Sequence, residues 1–177
     1  MRGLTAAAML LAIAAVAPAG CKRRNHARAA PVEDNSPLES VVNVADPEDA
    51  EQLVAGFYDV ENNAWRWTMG HFSATLRPPE DSSLNGAMLE LKGDVPSAVL
   101  KRLGPISLSA TINGHTLNSE TFSRAGAFTY SREVPASVLS DPSARVDFTV
   151  DKALPPSSQD ARELALVVTS IGLVPSK

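Results

Sequence analysis

The sequence predicts an all-β protein, an antiparallel β-sandwich of the jelly-roll type with one or two short helices. The main observation is a period-2 alternation of apolar and polar residues, which recurs in residues 72–77, 87–92, 106–112 and 146–151. Each such segment indicates a strand with one buried and one solvated face. Turn signals and proline-bearing ends separate these segments, and many short strands joined by turns are typical of sandwiches and jelly rolls.

The remaining elements follow in chain order. Residues 46–53 predict a short helix, because Asp46 can cap it and a proline follows at the first helical position. Residues 96–103, closed by Gly104 and Pro105, predict a second helix of two turns. Asn113-Gly114 predicts a tight two-residue hairpin. Residues 163–174 are apolar on both faces, which favours a strand covered on both sides, although periodicity alone leaves a helix open.

The first twenty residues indicate an export signal. A positive start, the apolar run from Leu4 to Val16 and a small-residue cut site are typical of secretory signals. The end of this segment, Ala19-Gly20-Cys21, resembles a bacterial lipoprotein box, although Pro18 departs from the usual aliphatic residue. We therefore predict lipidation of Cys21, the single cysteine of the chain. A soluble form cut after Ala19 and an uncleaved membrane anchor are the alternatives.

Residues 21–40 predict a disordered tether that is basic at first and then polar, and residues 41–177 form the predicted β-sandwich domain. Five of the 16 basic residues lie within residues 1–28, whereas all 20 acidic residues come later. The basic residues at the start of the tether would be attracted to an anionic lipid surface. An equal alternative is that these charges only orient the chain during export. The acidic domain argues against nucleic acid as a partner. We expect an exported lipoprotein of the cell envelope, anchored in a membrane and facing the periplasm or the cell surface.

An aromatic cluster gives the candidate ligand site. In a strand, Trp65 and Trp67 share one face and Arg66 points to the other side. Two exposed indoles would form a platform on which sugar rings stack, with Asp59 and Asn62 near enough to hydrogen-bond hydroxyls. The alternative is a buried pair, since large aromatic side chains dominate protein cores. Arg66 is then either a ligand contact or the partner of an acid such as Glu163.

No other motif predicts a metal, a cofactor or catalysis. Asp59, Glu61, Asn62 and Asn63 could supply oxygen ligands to calcium, but no regular loop motif accompanies them, and a solvated turn is the default. The three histidines are scattered, which argues against zinc. Asp147 and Asp151 would lie about 13 Å apart along a strand. Glycoside hydrolysis requires carboxyls about 5 or 6.5–9.5 Å apart.

Residues in several segments carry a family resemblance. These segments are Gly56-Phe57-Tyr58, Trp65-Arg66-Trp67-Thr68, residues 72–79, Ile112-Asn113-Gly114 and residues 162–173. They resemble an uncharacterised bacterial β-sandwich module that occurs alone in exported proteins or beside glycosyltransferase domains. This module is similar in outline to galactose-binding-like jelly rolls and carbohydrate-binding modules. The resemblance covers roughly residues 50 to 175 and implies the fold, but it transfers no binding residue, because one fold hosts unrelated functions.

Together these observations predict a non-catalytic envelope lipoprotein whose β-sandwich binds glycan. The expected ligand contacts are Asp59, Asn62, Trp65, Arg66 and Trp67, and Cys21 is the expected lipidation site. The alternative is a structural or assembly lipoprotein that docks on another envelope protein. A hydrolase is a third hypothesis.

Overall fold

The computed structural model of the protein describes residues 38–176. The predicted signal, the lipidation site at Cys21 and the tether up to residue 37 lie outside the described residues. Within residues 38–176, no helix is both long enough and apolar enough to cross a membrane.

The described chain contains nine strands, and every strand pairing is antiparallel. The strands are β1 (Val41–Asn43), β2 (Leu53–Glu61), β3 (Trp65–Leu76), β4 (Ala87–Val95), β5 (Ile106–Ile112), β6 (His115–Phe122), β7 (Gly126–Val134), β8 (Ala144–Val150) and β9 (Val167–Pro175). Two short helices, α1 (Ser82–Asn85) and α2 (Ser97–Leu103), and two 3-10 turns, Ala50–Gln52 and Ala136–Val138, complete the domain. The predicted antiparallel β-sandwich with two short helices is confirmed.

The alternation of the sequence maps onto burial. In β5, the apolar residues Ile106, Leu108, Ala110 and Ile112 are buried, and the polar residues between them are partly exposed. The same pattern holds in β8 and in the first part of β4. Because successive side chains of a strand point to opposite faces, each strand contributes one apolar row to a shared core and one polar row to the surface. The four strands predicted from alternation are therefore confirmed.

The long strand β3 joins the two layers of the sandwich. Hydrogen bonding runs in the order β6-β5-β8-β3-β9-β4-β7. The first part of β3 pairs with β9 at Arg66↔Val168 and Trp67↔Val167. The second part pairs with β8, from His71↔Thr149 to Leu76↔Ala144. One layer therefore continues from β3 through β8 and the other through β9, and β2 lies along the remaining edge of β3.

The helix predictions were correct in one case and wrong in the other. α2 is confirmed, with Pro96 before it and Gly104 after it. Residues 46–53 form only the 3-10 turn Ala50–Gln52. The carboxylate of Asp49 accepts a hydrogen bond from the backbone N–H of Asn43 at 2.7 Å, which ties this segment to β1, and the chain enters β2 at Leu53. α1 was not predicted.

Two further predictions concern the hairpin and the C-terminal segment. Asn113 and Gly114 join β5 to β6 with φ angles of 45° and 82°, which confirms the tight turn. The Asn113 side chain also accepts from the N–H of Arg145 and donates to the carbonyl of Val138, each at 2.9 Å. The apolar segment 163–174 is a strand and not a helix from Val167 onward.

Candidate functional site

The five residues predicted to contact a ligand all lie in the hairpin formed by β2 and β3. Its turn places Asn62 and Asn63 at φ angles of 51° and 52°, and the N–H of Ala64 donates to the carbonyl of Glu61 at 3.1 Å. Asparagine tolerates this left-handed conformation better than most residues, which gives Asn62 a structural reason for its position. Asn62 lies exposed at the hairpin tip, and Asp59 lies exposed on β2.

The two tryptophans occupy alternate positions at the start of β3 and are both half-buried. Trp67 packs against the hydrophobic core. The indole Nε1 of Trp65 is buried and has no hydrogen-bond partner within residues 38–176. The indoles are therefore neither a fully exposed platform nor a fully buried pair, because the body of each ring is partly covered and part of it remains accessible.

Arg66 points away from the two indoles and binds backbone carbonyls. Its Nε donates to the carbonyl of Val44 at 2.6 Å, and its Nη1 donates to the carbonyl of Tyr58 at 3.0 Å. The predicted pairing with Glu163 is wrong. The Oε1 of Glu163 instead accepts from the N–H of Gly70 at 2.7 Å, at the point where β3 changes partner from β9 to β8. The carboxylate thus satisfies a buried backbone donor at the junction of the two layers.

A second cluster, centred on Arg162, was not predicted from the sequence. Arg162 donates to both carboxylate oxygens of Asp160, at 3.0 and 2.9 Å, and to the Oε1 of Glu61 at 2.8 Å. Its guanidinium also lies 5.3 Å from the ring centroid of Tyr58. This cluster binds the segment before β9 to the hairpin that holds the tryptophans. A contact between residues 101 positions apart leaves no local sequence signal.

The bidentate contact between Arg162 and Asp160 makes the stability of the fold depend on pH. Hydrogen bonds from Arg162 hold the pKa of Asp160 below its usual value of 3.8. A carboxyl whose pKa is lower in the folded state contributes stability above its unfolded pKa and loses it as pH falls through the folded value. We therefore expect Asp160→Asn to lower the midpoint of thermal unfolding at neutral pH. The difference from the parent protein should shrink below about pH 3.8 in a pH series. A difference that stays constant down to pH 2 would contradict this assignment.

A polar block lies farther along β3, on the surface that it shares with β8. The paired residues are His71 with Thr149, Ser73 with Asp147, and Thr75 with Arg145. The Nδ1 of His71 lies 3.1 Å from the Oγ1 of Thr149, and Arg145 contacts Asp147 at 2.8 Å and Ser73 at 3.2 Å. All of these residues except Thr75 line a depression of about 200 Å³, with Ala55 of β2 beside them. The alternation in the sequence could have indicated this block, since all six residues lie at the polar positions of their strands.

The tryptophans and the polar block belong to one row of side chains. Every second residue of β3 from Trp65 to Ser73 belongs to this row, which contains Trp65, Trp67, Met69, His71 and Ser73, and Thr75 follows. At about 3.3 Å per residue, the row extends for about 26 Å. It offers aromatic faces at one end and the exposed ring of His71 near the other, where Ser73 is buried at 3% exposure. Among residues 38–176, no three His, Cys, Asp or Glu side chains are grouped as a metal site would require.

Comparison with known proteins gives structural similarity only. No protein-family model matches the chain, and no curated protein matches it. Among solved structures, the CBM36-1 domain of a multidomain xylanase from the hindgut metagenome of Trinervitermes trinervoides is 11% identical, with a TM-score of 0.40 over 75% of this chain and 94% of that chain. The mannan-recognising carbohydrate-binding module TmCBM27 is 10% identical, with a TM-score of 0.47 over 79% and 98%. A structure of CBM51-2 and INT domains from Clostridium perfringens ZmpB is 12% identical, with a TM-score of 0.33 over 76% and 28%. Similarity at this level assigns no ligand and no site to this chain.

Proposed function

We propose that this protein is a non-catalytic module that binds a glycan along the outward row of β3. The observation that carries the proposal is the continuity of that row, from the half-buried indoles of Trp65 and Trp67 to the exposed His71, which lines the depression with Arg145 and Asp147. Aromatic faces and fixed hydrogen-bonding groups are the two components of sites that orient small polar ligands. A row of about 26 Å suits a linear chain of sugars better than a single sugar.

We also propose that the module is exported and held at the cell envelope by a lipid on Cys21, with residues 22–37 as the tether. The support is the signal-like segment before Cys21 and the basic residues that follow it. Intact mass of the mature protein tests this directly. A diacyl or triacyl increment on an N-terminal Cys21 supports the lipid anchor, and an unmodified N-terminus at Gly20 or Met1 would exclude it.

Binding to polysaccharide is the test of the main proposal. In affinity gel electrophoresis, soluble neutral polysaccharides (a glucan, a mannan, a xylan and a galactan) should retard the protein. We expect Trp65→Ala to weaken retardation by about thirtyfold, because truncating a tryptophan that contacts the ligand directly costs about 2 kcal/mol. Bound polysaccharide should also protect the indoles from quenching by acrylamide.

The matched control is Phe128→Ala. Phe128 is a half-buried aromatic residue on β7, which is separated from β3 by β9 and β4 in the pairing order. This variant should be retarded like the parent protein. Unfolding midpoints of both variants separate lost binding from lost structure. If no polysaccharide retards the parent protein, or if Trp65→Ala and Phe128→Ala behave alike, glycan binding along β3 is excluded.

A second function, docking on another envelope protein, is favoured by a different surface. Grooves of about 480 and 410 Å³ flank the segment Arg77-Pro78-Pro79. Val41, which lines the first groove, is 51% exposed, and Leu84, which follows the segment in the chain, is 78% exposed. An apolar segment of another protein that docked in these grooves would remove such side chains from water. A photo-crosslinking residue at position 84 in whole cells should capture a protein under this hypothesis, and the same residue at position 115 should not.

A further inference from the structure

We propose that Arg145, Asp147 and His71 form a subsite for a vicinal diol of an uncharged sugar. The inference rests on the glycan binding proposed above and adds the class of sugar and the residues that recognise it. Arg145 and Asp147 lie on β8, outside the hairpin on which the sequence prediction was centred, and His71 lies on β3 beyond the two tryptophans. They belong to the polar block on β3 and β8 and line the depression of about 200 Å³.

The ion pair between Arg145 and Asp147 keeps hydrogen-bonding capacity on both partners. The Nε of Arg145 contacts Oδ1 and Oδ2 of Asp147 at 3.0 and 3.2 Å, and its Nη2 contacts Oδ1 at 2.8 Å. Nη2 also donates to the Oγ of Ser73 at 3.2 Å. Within residues 38–176, Nη1 of Arg145 makes no hydrogen bond, and Oδ2 of Asp147 accepts only the 3.2 Å contact. Free donors and a free acceptor therefore lie side by side.

Two adjacent hydroxyl groups match this arrangement. Each hydroxyl donates one hydrogen bond and accepts others, so one can donate to Asp147 while its neighbour accepts from Arg145. Hydrogen bonds to ionised groups are shorter and stronger than those between neutral groups. The Nδ1 of His71 contacts Thr149 at 3.1 Å, and this contact orients the ring at the margin of the depression.

Charge balance favours an uncharged sugar. Asp147 and Arg145 carry opposite formal charges, so the pair has no net charge, and the hydrogen bond to Asp147 raises the pKa of the Arg145 guanidinium. A carboxylate or sulfate group on the ligand would lie against Asp147 and be repelled. An arginine without such a partner would instead favour an anion.

The subsite is held rigidly by the sheet. β8 pairs with β3 on one side and with β5 on the other, so Arg145 and Asp147 project from a central strand. The N–H of Arg145 is also held by the side chain of Asn113 at 2.9 Å. Groups fixed in position before the ligand arrives lose little conformational freedom on binding.

Linkage chemistry provides the test. A 1,4-linked glucan carries a vicinal diol on each internal sugar, whereas a 1,3-linked glucan carries none. We expect retention by the 1,4-linked glucan, at least tenfold weaker retention by the 1,3-linked glucan, and loss of retention after periodate cleaves the diols and borohydride reduces the products. Asp147→Asn and Arg145→Gln should each weaken binding by about tenfold or more, because a hydrogen bond to a charged group contributes at least that factor.

The matched control is Glu90→Gln, which breaks the ion pair of Glu90 with Lys92 (2.9 Å) on β4 of the other layer. It should bind like the parent protein, and unfolding midpoints confirm that all three variants are folded. If the parent protein binds and Trp65→Ala does not, while Asp147→Asn and Arg145→Gln bind normally, the subsite is wrong and the proposed function stands. Stronger retention by polygalacturonate or dextran sulfate than by any neutral glucan also overturns the subsite. If no neutral or anionic polysaccharide is bound, both proposals fail together.

Discussion

Gly56→Ala is expected to remove a large part of the stability of the domain. Gly56 has a φ of +78°, and a Cβ at this position would lie 2.1 Å from the backbone carbonyl oxygen of His71 and 2.6 Å from the Cα of Phe72. These atoms belong to the backbone of β3, so the contact can be relieved only by separating β2 from β3. We expect a loss of more than about 4 kcal/mol of unfolding free energy, a large part of the total stability of a domain.

Gly114→Ala is the matched control for this variant. Gly114 has a similar φ of +82°, but its Cβ would meet no atom within 4 Å. This variant therefore carries only the backbone strain, about 1 kcal/mol. Urea unfolding monitored by circular dichroism measures both variants. Similar midpoints for Gly56→Ala and Gly114→Ala would show that β2 does not lie against β3 as the structure has it.

Phe72→Ala is expected to cost about 3 to 5 kcal/mol of unfolding free energy, the range for truncating a buried aromatic residue. Phe72 is 2% exposed, and its ring stacks on Phe148 with centroids 4.9 Å apart. Its ring also meets Phe57 edge to face at 5.4 Å. The three rings connect β2, β3 and β8 directly beneath His71 and Ser73. Removing the central ring should therefore also increase hydrogen exchange at the backbone amides of those two residues.

Phe72→Leu is the intermediate variant, because it shortens the side chain at position 72 without removing its packing volume entirely. Leucine keeps most of the buried apolar surface, so we expect a loss of about 1 to 1.5 kcal/mol. Guanidinium unfolding with a tryptophan fluorescence signal gives both values. Equal losses for the alanine and leucine variants would contradict the stacked arrangement, since only alanine removes the packing volume.

Several strands could be predicted because a strand of a two-layer fold has one buried and one exposed face, and its residues therefore alternate between apolar and polar. In β5 and β8, every second residue is apolar and buried, so the alternation alone identifies the face toward the core. The tight turn at Asn113-Gly114 was predicted from equally local information, since two left-handed residues in succession favour Asn and Gly. The helix predicted at residues 46–53 is absent. Asp49, one of the acids that indicated the start of a helix, accepts a hydrogen bond from the backbone N–H of Asn43 in β1.

The candidate site was predicted less completely. The alternation of Trp65, Arg66 and Trp67 correctly separated the arginine from the indoles, because one strand contains all three. The predicted partner of Arg66 was wrong, because the Arg66 side chain donates to the backbone carbonyls of Val44 and Tyr58. The sequence does not show which backbone carbonyls lack a partner in the sheet and can accept from a side chain. The polar block depends on the register of β3 against β8, which pairs its residues from about 70 (Thr75 with Arg145) to about 78 positions apart (His71 with Thr149).

The sequence by itself determined the strands β3, β4, β5, β8 and β9, the apolar face of those that alternate and the tight turn at Asn113-Gly114, because each of these depends on residues that are neighbours in the chain. Only the tertiary structure decided that β3 serves both layers, that Glu163 binds the N–H of Gly70 at the change of partner, and that Arg145 and Asp147 lie beside His71. Those arrangements depend on strand order and register. Register is set by the packing of the whole core and by turn geometry, not by any single segment.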